Sequence, residues 1–168
     1  MNIRRTSIAI ALFAGASLLG ACSKAAAPET AGPVVLENGL TAKEQIETRQ
    51  AQLKKMGKAF KAMNDEMKAE TPDVAALQAA AAALKLESGG IEDWFPAGTG
   101  PDSGVKTEAL AAIWENPADF AEKLSDFRAA SDSLAEVAPG GDLAAIGDAM
   151  RVTGMSCKSC HDTYREDD

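Results

Sequence analysis

The five residues Cys157-Lys158-Ser159-Cys160-His161, close to the C-terminus, constrain the possible structures of this 168-residue chain more than any other stretch. Two cysteines separated by two residues and followed directly by a histidine form the attachment pattern of a c-type haem. On a helix, Cys157 and Cys160 project from one face, where both thiols can form thioethers with the vinyl groups of one porphyrin. His161 lies on the neighbouring side of the same turn and can bond the iron from one axial side. The motif therefore predicts one covalently attached haem c.

Other chemistries use cysteines at this spacing. A redox-active dithiol usually lies at a strand-to-helix junction of a βαβ unit, and the chain shows no such pattern. A structural zinc site normally needs four cysteine or histidine ligands, whereas the whole chain contains three cysteines and one histidine. That histidine stands where the haem motif requires it, so this chain alone cannot supply histidines to both faces of the iron. A chance match is the last alternative, and it would make the protein a lipid-anchored adaptor without haem.

The N-terminal residues 1–21 have the pattern of an export signal. Arg4 and Arg5 form a basic start, and an apolar stretch from Ile8 to Leu19 follows. A stretch of about a dozen apolar residues is short for a membrane-spanning helix and typical of a signal peptide. The residues around the two arginines match a twin-arginine signal poorly, and haem c is attached after export of an unfolded chain. We therefore expect general secretion and a periplasmic protein.

The residues Leu19-Gly20-Ala21-Cys22 resemble the lipobox of bacterial lipoproteins. The resemblance implies cleavage before Cys22, diacylation of its thiol and acylation of the new amino terminus, which together would anchor the protein stably. The alternative is ordinary cleavage near Ala14-Gly15-Ala16, which would leave Cys22 as a free thiol in an oxidising compartment. We predict a lipidated Cys22 followed by a flexible linker over residues 22–38, where alanine, proline and glycine outnumber large apolar residues.

The charge balance excludes one class of partner. The chain carries a formal charge of −8, and loss of Arg4 and Arg5 with the signal peptide would change it to −10. Nucleic-acid binding depends on lysine and arginine side chains that neutralise phosphates, so we expect no nucleic-acid partner. An acidic chain also lacks a basic patch for an anionic membrane surface, so we expect membrane attachment through the lipid alone.

From about residue 40 onward, apolar residues repeat at alternating intervals of three and four, the spacing of helices in a bundle. Glycine and proline residues divide the pattern into four long segments, with a loop and a short helical piece from Thr107 to Trp114 between the second and third. Thr71-Pro72 is expected to end the first helix and to cap the second. The chain shows no β pattern and no internal repeat. It therefore predicts an all-α, antiparallel four-helix bundle over residues 39–168, with the haem near its C-terminus.

Two features of the helical pattern bear on the haem. Cys157 and Cys160 lie on the inward-facing seam of the last helix, so a haem that they hold must enter the bundle core. In the first helix the seam is interrupted by Arg49, where an apolar residue is due. A cation that faces inward needs a partner, because an unpaired buried charge is costly. The alternative is that Arg49 extends its guanidinium to solvent at the end of the bundle.

Several stretches resemble one family, the cytochromes c′. The segment from Cys157 to Arg165 is similar to the C-terminal haem-binding end of these proteins. Arg49-Gln50-Ala51-Gln52-Leu53 in the first helix is similar too, as is Phe95-Pro96-Ala97-Gly98-Thr99 followed by Ile113-Trp114 and Phe120. The resemblance covers essentially all of residues 40–168. Many cytochromes share the haem motif, but its place at the extreme C-terminus of a bundle, followed by tyrosine and arginine, is more specific.

The resemblance implies a haem c with His161 as the proximal iron ligand and no protein ligand on the distal face. The distal position would be occupied by Leu53, so the iron is expected to be five-coordinate, high-spin and open to NO and CO, which must displace the leucine. Bound O2 would lack a polar stabilising group. The resemblance also implies that Arg49 binds a haem propionate and that Arg165 lies near His161, where it helps to admit NO.

Family resemblance also suggests partners for the chain. Besides the gas ligands and redox proteins, family members often pair as homodimers through the first helix. Four apolar residues of that helix are available for such an interface, although their spacing favours the chain's own core: Met56, Phe60, Met63 and Met67.

The function predicted from these residues is that of a periplasmic, non-enzymatic cytochrome that binds NO or CO and transfers electrons, with NO scavenging as one use. Two alternatives stay open. Met56, one turn beyond Leu53, could ligate the iron and make a low-spin electron carrier, although methionine is also a common core-filling residue. A haem redox enzyme such as a peroxidase or NO reductase is the second alternative, but no acid–base residue is evident opposite Leu53.

Overall fold

The structure, a computed structural model, describes residues 35–166, so the predicted signal peptide, Cys22 and most of the predicted linker lie outside the described residues. Four long helices and one short helix account for most of this part of the chain: α1 (Ala42–Glu66), α2 (Val74–Glu87), α3 (Ala112–Glu115), α4 (Pro117–Val137) and α5 (Leu143–Tyr164). Single turns of 3-10 helix lie at Ile91–Asp93, Pro101–Ser103 and Ala138–Gly140. Within residues 35–166 the only β pairing consists of two isolated bridges.

The four long helices form the predicted bundle. Helix α1 packs along α2, α4 packs along α5, and α2 packs against α4. Short connections join α1 to α2 and α4 to α5, which makes each pair antiparallel. Every long helix contributes at least one apolar side chain with no solvent exposure to the core, including Ile46, Met63, Leu77, Leu134 and Ile146. None of the helices in the described part of the chain is long and apolar enough to cross a membrane.

Side-chain caps fix where the helices begin. Thr41 caps α1 in a capping box: its hydroxyl accepts the Glu44 N–H at 3.2 Å, and the Glu44 carboxylate accepts the Thr41 N–H at 2.8 Å. Asp142 caps α5, because its carboxylate accepts the backbone N–H groups of Ala144 and Ala145 at 2.9 and 3.3 Å. The cap on α5 matters for function, since this helix carries the haem motif.

Two details of the predicted helices are wrong. Helix α2 is capped by Asp73 and not by Thr71, because the Asp73 carboxylate accepts two backbone N–H groups of the first turn. The residue before a proline avoids the helical region, so the chain stays non-helical through Thr71-Pro72 and the helix begins two residues later than the cap prediction implies. The short helical piece is also shorter than predicted, with a helix only over Ala112–Glu115.

The sides of α1 and α5 that face each other leave a groove. Its volume is about 330 Å³, and it is lined by Phe60, Asn64, Met67, Gly147, Met150, Arg151 and Gly154. The two backbones do not run in close contact here, in contrast to the pairs α1–α2 and α4–α5. The haem motif lies on α5 just beyond the C-terminal end of this groove, at residues 157–161.

Candidate functional site

Two contacts define how α1 and α5 are aligned. A Cβ atom placed on Gly154 would lie 3.2 Å from Cζ of Phe60, and one placed on Gly147 would lie 3.5 Å from Cε of Met67. The contacts are spaced seven residues apart on both helices and run in opposite directions, as in antiparallel neighbours. Continuing this alignment by the same interval, about two helical turns, brings Leu53 on α1 level with His161 on α5.

The motif thiols are free and half-buried, and both pack against the hydrophobic core. Burial raises the pKa of the Cys157 thiol. Burial also raises the pKa of Cys160 to about 11, against the opposing effect of the Lys123 cation. Low-pKa, exposed cysteines are the reactive ones in redox proteins. These thiols have the opposite character, and their inward position fits covalent attachment of a group inside the bundle.

His161 lies in the last turn of α5, and its side chain is only partly shielded from solvent. Partial burial lowers its pKa, the Arg165 cation lowers it further, and Asp162 and Glu108 act in the opposite direction. The net effect favours the neutral imidazole, which is the form that bonds a metal. The helix is regular through the motif, since the His161 carbonyl accepts the Arg165 backbone N–H at 3.1 Å.

Arg49 is buried, with 1% of its surface exposed, so the alternative in which it extends to solvent is wrong. Its Nη1 donates to Thr99 Oγ1 at 3.1 Å and to the Trp94 carbonyl at 3.4 Å. Its Nη2 donates to the Thr99 carbonyl at 3.1 Å and to Thr107 Oγ1 at 3.0 Å. The guanidinium carbon also lies 4.6 Å from the centre of the Phe95 ring, close enough for a cation–π interaction.

The partners of Arg49 test whether the site fits a haem. All of the hydrogen-bond acceptors described above are neutral, and none of the ion pairs formed within residues 35–166 involves Arg49. Burial lowers its pKa to about 10. A buried guanidinium that has only neutral partners favours an added anion, and carboxylates are its best-matched ligands. The haem carries two such carboxylates, the propionates, so the residues present fit the group.

Leu53 and Met56 differ in their surroundings. Leu53 is half-buried, whereas Met56 is 8% exposed and belongs to the apolar core of the bundle. In the alignment of α1 with α5, Met56 lies level with Lys158, one turn away from His161. The environment of Met56 is therefore that of a core residue.

The apolar residues considered for a dimer interface serve the chain itself. Met56 and Met63 are buried in the core. Phe60 and Met67 line the groove against α5.

Arg165 is held at the end of α5 by a residue that the sequence pattern does not single out. Its Nε donates to Glu108 Oε2 at 2.8 Å. Thr107, the neighbour of Glu108, is likewise absent from the predicted site although it binds Arg49. The separations explain this, since Thr107 lies 58 residues from Arg49, and Glu108 lies 57 residues from Arg165. Thr99 falls inside the loop stretch that resembles the cytochromes c′. That resemblance is the only feature of the sequence that points to Thr99 as part of the site.

Comparison with known proteins decides the family. The sequence model described as Cytochrome C′ matches residues 44–165. This chain belongs to the cytochrome c′ family. "Cytochrome c-554" of Cereibacter sphaeroides is 35% identical to it over 138 residues, which is 81% of this chain and 90% of the relative.

Solved structures agree with that assignment. A cytochrome c′ with a ligand-controlled dimer dissociation has a TM-score of 0.71 and 33% identity, and the match covers 77% of this chain and 99% of that one. The nitric oxide complex of a leucine-to-alanine variant of cytochrome c′ from Alcaligenes xylosoxidans has a TM-score of 0.68 and 30% identity, covering 76% and 97%. The predicted family and the four-helix bundle are thereby confirmed. The predicted cofactor is confirmed with them, since proteins of this family bind one covalent haem c.

Proposed function

We propose that this cytochrome binds NO or CO at an iron that is open on one side. The observation that carries the proposal is the pair of contacts from Gly154 to Phe60 and from Gly147 to Met67, since continuing their spacing by seven residues brings Leu53 level with His161. The His161 imidazole would hold the iron, whereas the Leu53 side chain has no donor atom that could bond it. When bound, the haem supplies an iron that coordinates diatomic gases and changes between the ferrous and ferric states.

The residues of the chain have separate roles in this proposal. Cys157 and Cys160 hold the porphyrin through thioethers, and His161 is the proximal ligand. Leu53 would lie over the open side of the iron and exclude ligands until its side chain moves aside. Arg49 binds a propionate, which supplies the anion that its neutral partners lack. Binding and electron transfer, and not catalytic turnover, are the activities that this set supports, since Leu53 offers no acid or base to a bound substrate.

The comparisons supply independent support. One of the similar solved structures is by name the nitric oxide complex of a cytochrome c′ in which a leucine has been replaced by alanine. That name shows that a variant of a relative 30% identical to this chain binds nitric oxide. It makes a gas ligand the natural first choice for this protein.

Absorption spectra of the holoprotein test the proposal. Ferric and dithionite-reduced protein would be recorded with and without CO and NO, alongside a Met56→Leu variant. We expect a broad high-spin ferrous Soret band that sharpens with CO, and the same result for Met56→Leu. The opposite result would be a wild type with sharp, split low-spin bands that do not change with CO, and a Met56→Leu variant that binds CO. It would refute the proposal and indicate an electron carrier in which Met56 ligates the iron.

We also propose that residues 1–21 direct export to the periplasm and that Cys22 is lipidated, with residues 22–38 as the linker. Support comes from the residue pattern alone, since these residues lie almost wholly outside the described part of the chain. The test is the mass of the mature protein and its distribution between membrane and soluble fractions. Wild type should carry acyl chains and sediment with membranes, and Cys22→Ser should be soluble. A mature wild-type protein without acyl chains would refute the anchor.

A further inference from the structure

The C-terminal end of α5 is bonded to the segment that precedes α3. The Leu110 N–H donates to the Tyr164 carbonyl at 3.0 Å, and the Glu166 N–H donates to the Glu108 carbonyl at 2.8 Å. Ala109 and Arg165 form an antiparallel bridge between these two bonds. Residues 107–110, here called the strap, therefore determine where the helix that carries His161 ends.

Side chains of the strap reach two arginines. Thr107 Oγ1 accepts Arg49 Nη2 at 3.0 Å, and the next residue, Glu108, accepts Arg165 Nε at 2.8 Å. Thr107 Oγ1 also accepts the Ala109 N–H at 3.1 Å, which stiffens the strap between the two contacts. Two adjacent residues thus connect a buried cation on α1 with a cation one turn beyond His161.

We propose that Glu108 is a positioning residue of the haem site: it holds Arg165 and the end of α5 so that the surroundings of the proximal ligand His161 are fixed. The inference rests on the proposed function, since it takes His161 to be the iron ligand. Glu108 itself does not touch the reacting atoms. It acts through Arg165, whose Nε donates to its carboxylate and whose guanidinium is thereby oriented beside the last turn of the helix.

Exposure separates this role from a contribution to stability. The Arg165 and Glu108 side chains are 39% and 55% exposed. Exposed ion pairs contribute about 0–1 kcal/mol to stability, so loss of the pair should leave the fold intact. The chain offers a matched control in the ion pair between Arg128 and Glu92, with Nη1 3.2 Å from Oε1 and side chains 34% and 53% exposed. This control pair joins α4 to the turn at Ile91–Asp93, and its described hydrogen bonds involve neither Arg49 nor α5.

The experiment compares the holoproteins of wild type, Glu108→Gln, Glu108→Asp and Glu92→Gln. Two readouts are taken, the midpoint potential of the haem and the iron–histidine stretching frequency of the ferrous form by resonance Raman spectroscopy. Glu108→Gln removes a negative charge close to the proximal side, so its midpoint potential should rise and its stretching frequency should shift. Glu108→Asp keeps the charge, but its side chain is one methylene shorter and holds Arg165 less well. Its stretching frequency should therefore still shift toward that of Glu108→Gln. Glu92→Gln should match the wild type in both.

Each contrary result counts against the proposal. A stretching frequency in Glu108→Gln equal to that of Glu92→Gln would overturn it. So would a Glu108→Asp protein identical to the wild type, because the carboxylate would then act through its charge alone. Loss of haem in Glu108→Gln but not in Glu92→Gln would also overturn it, because the carboxylate would then be needed to fold the site and not to position Arg165. If wild-type iron proves to be six-coordinate and indifferent to CO, the gas-binding proposal fails separately, and the midpoint potentials still test Glu108.

Discussion

Arg49 and Thr99 are joined twice, with Nη1 of the arginine bonded to the threonine hydroxyl and Nη2 bonded to the threonine carbonyl, both at 3.1 Å. Each residue is buried, with exposures of 1% and 0%. The Thr99 hydroxyl itself donates to the Pro96 carbonyl at 2.7 Å. The loop between α2 and α3 is therefore folded around a cation, and its conformation depends on the arginine as much as the arginine depends on the loop.

Thr99→Val should destabilise the protein. Valine has nearly the shape of threonine but cannot accept from Arg49 Nη1 or donate to the Pro96 carbonyl, and the position is fully buried. Loss of a hydrogen bond to a charged group costs about 1.5–3 kcal/mol, so we expect a fall of roughly that size in the free energy of unfolding, measured by urea denaturation of the holoprotein. Thr163→Val, at an exposed threonine of α5, is the control and should change little. Equal effects at the two positions would contradict the structure.

Leu53→Ala should speed the binding of CO and NO. Under the proposed function a ligand displaces the leucine side chain, which loses contacts of about 1.5 kcal/mol or more, and 1.36 kcal/mol corresponds to a factor of ten in rate. We therefore expect association rates about tenfold faster in the variant, measured by stopped-flow mixing. Leu86→Ala, at a leucine of α2 that is 78% exposed, serves as the control. Association rates unchanged in Leu53→Ala would show that Leu53 does not cover the distal face.

The parts of the structure that sequence predicts well are those governed by neighbouring residues. Helical periodicity is visible within two or three turns, so the four long helices and the inward direction of Cys157 and Cys160 are predictable without any knowledge of tertiary contacts. The position of Arg49 on an inward seam is predictable for the same reason. Whether Arg49 is buried is not predictable in this way, because a buried arginine and one that extends to solvent at the end of a bundle give the same sequence pattern.

What the sequence does not predict depends on the path of the chain between distant residues. Arg49 lies 50 residues from Thr99 and 58 from Thr107, and the pairing requires the loop before α3 to fold back over α1. The prediction of the N-cap of α2 is wrong for a local reason. Thr71-Pro72 and Asp73 are all plausible starts, and the choice is made by the backbone N–H groups that the Asp73 carboxylate reaches.

Replacement of glycines in the groove should have opposite effects at two positions of one helix. Alanine at Gly147 would meet Met67 Cε at 3.5 Å, an ordinary contact, so Gly147→Ala should stabilise α5 by about 0.5–1 kcal/mol. Alanine at Gly154 would lie 3.2 Å from Phe60 Cζ, so the ring must move and the helical gain should be cancelled or reversed. Thermal unfolding of both holoproteins measures the difference. A more stable Gly154→Ala protein would disprove the close contact that aligns α1 with α5.

The Tyr164 hydroxyl should ionise at a higher pH than an ordinary tyrosine does. Its ionisation should lower the stability of the protein at high pH. Its hydroxyl donates to Asp119 Oδ2 at 2.5 Å. This bond, with burial as a lesser cause, raises the pKa of Tyr164 to about 12. An unfolded tyrosine ionises at a pKa of about 10. The unfolded chain therefore releases its proton first as the pH rises, and the stabilisation is complete below about pH 10 and lost progressively toward pH 12.

The chain contains a single tyrosine, so tyrosinate absorbance during alkaline titration reports Tyr164 alone. Wild type should titrate with an apparent pKa near 12, and Asp119→Asn should titrate closer to 10 because the carboxylate that favours the protonated phenol is gone. Tyr164→Phe keeps the ring contact with Phe120, whose ring centroid lies 5.0 Å away. The variant should have a lower melting temperature at neutral pH. It should also lack the part of the stability loss at high pH that comes from ionisation of Tyr164. A wild-type tyrosine that titrates near its ordinary value would mean that Asp119 does not bind it in solution.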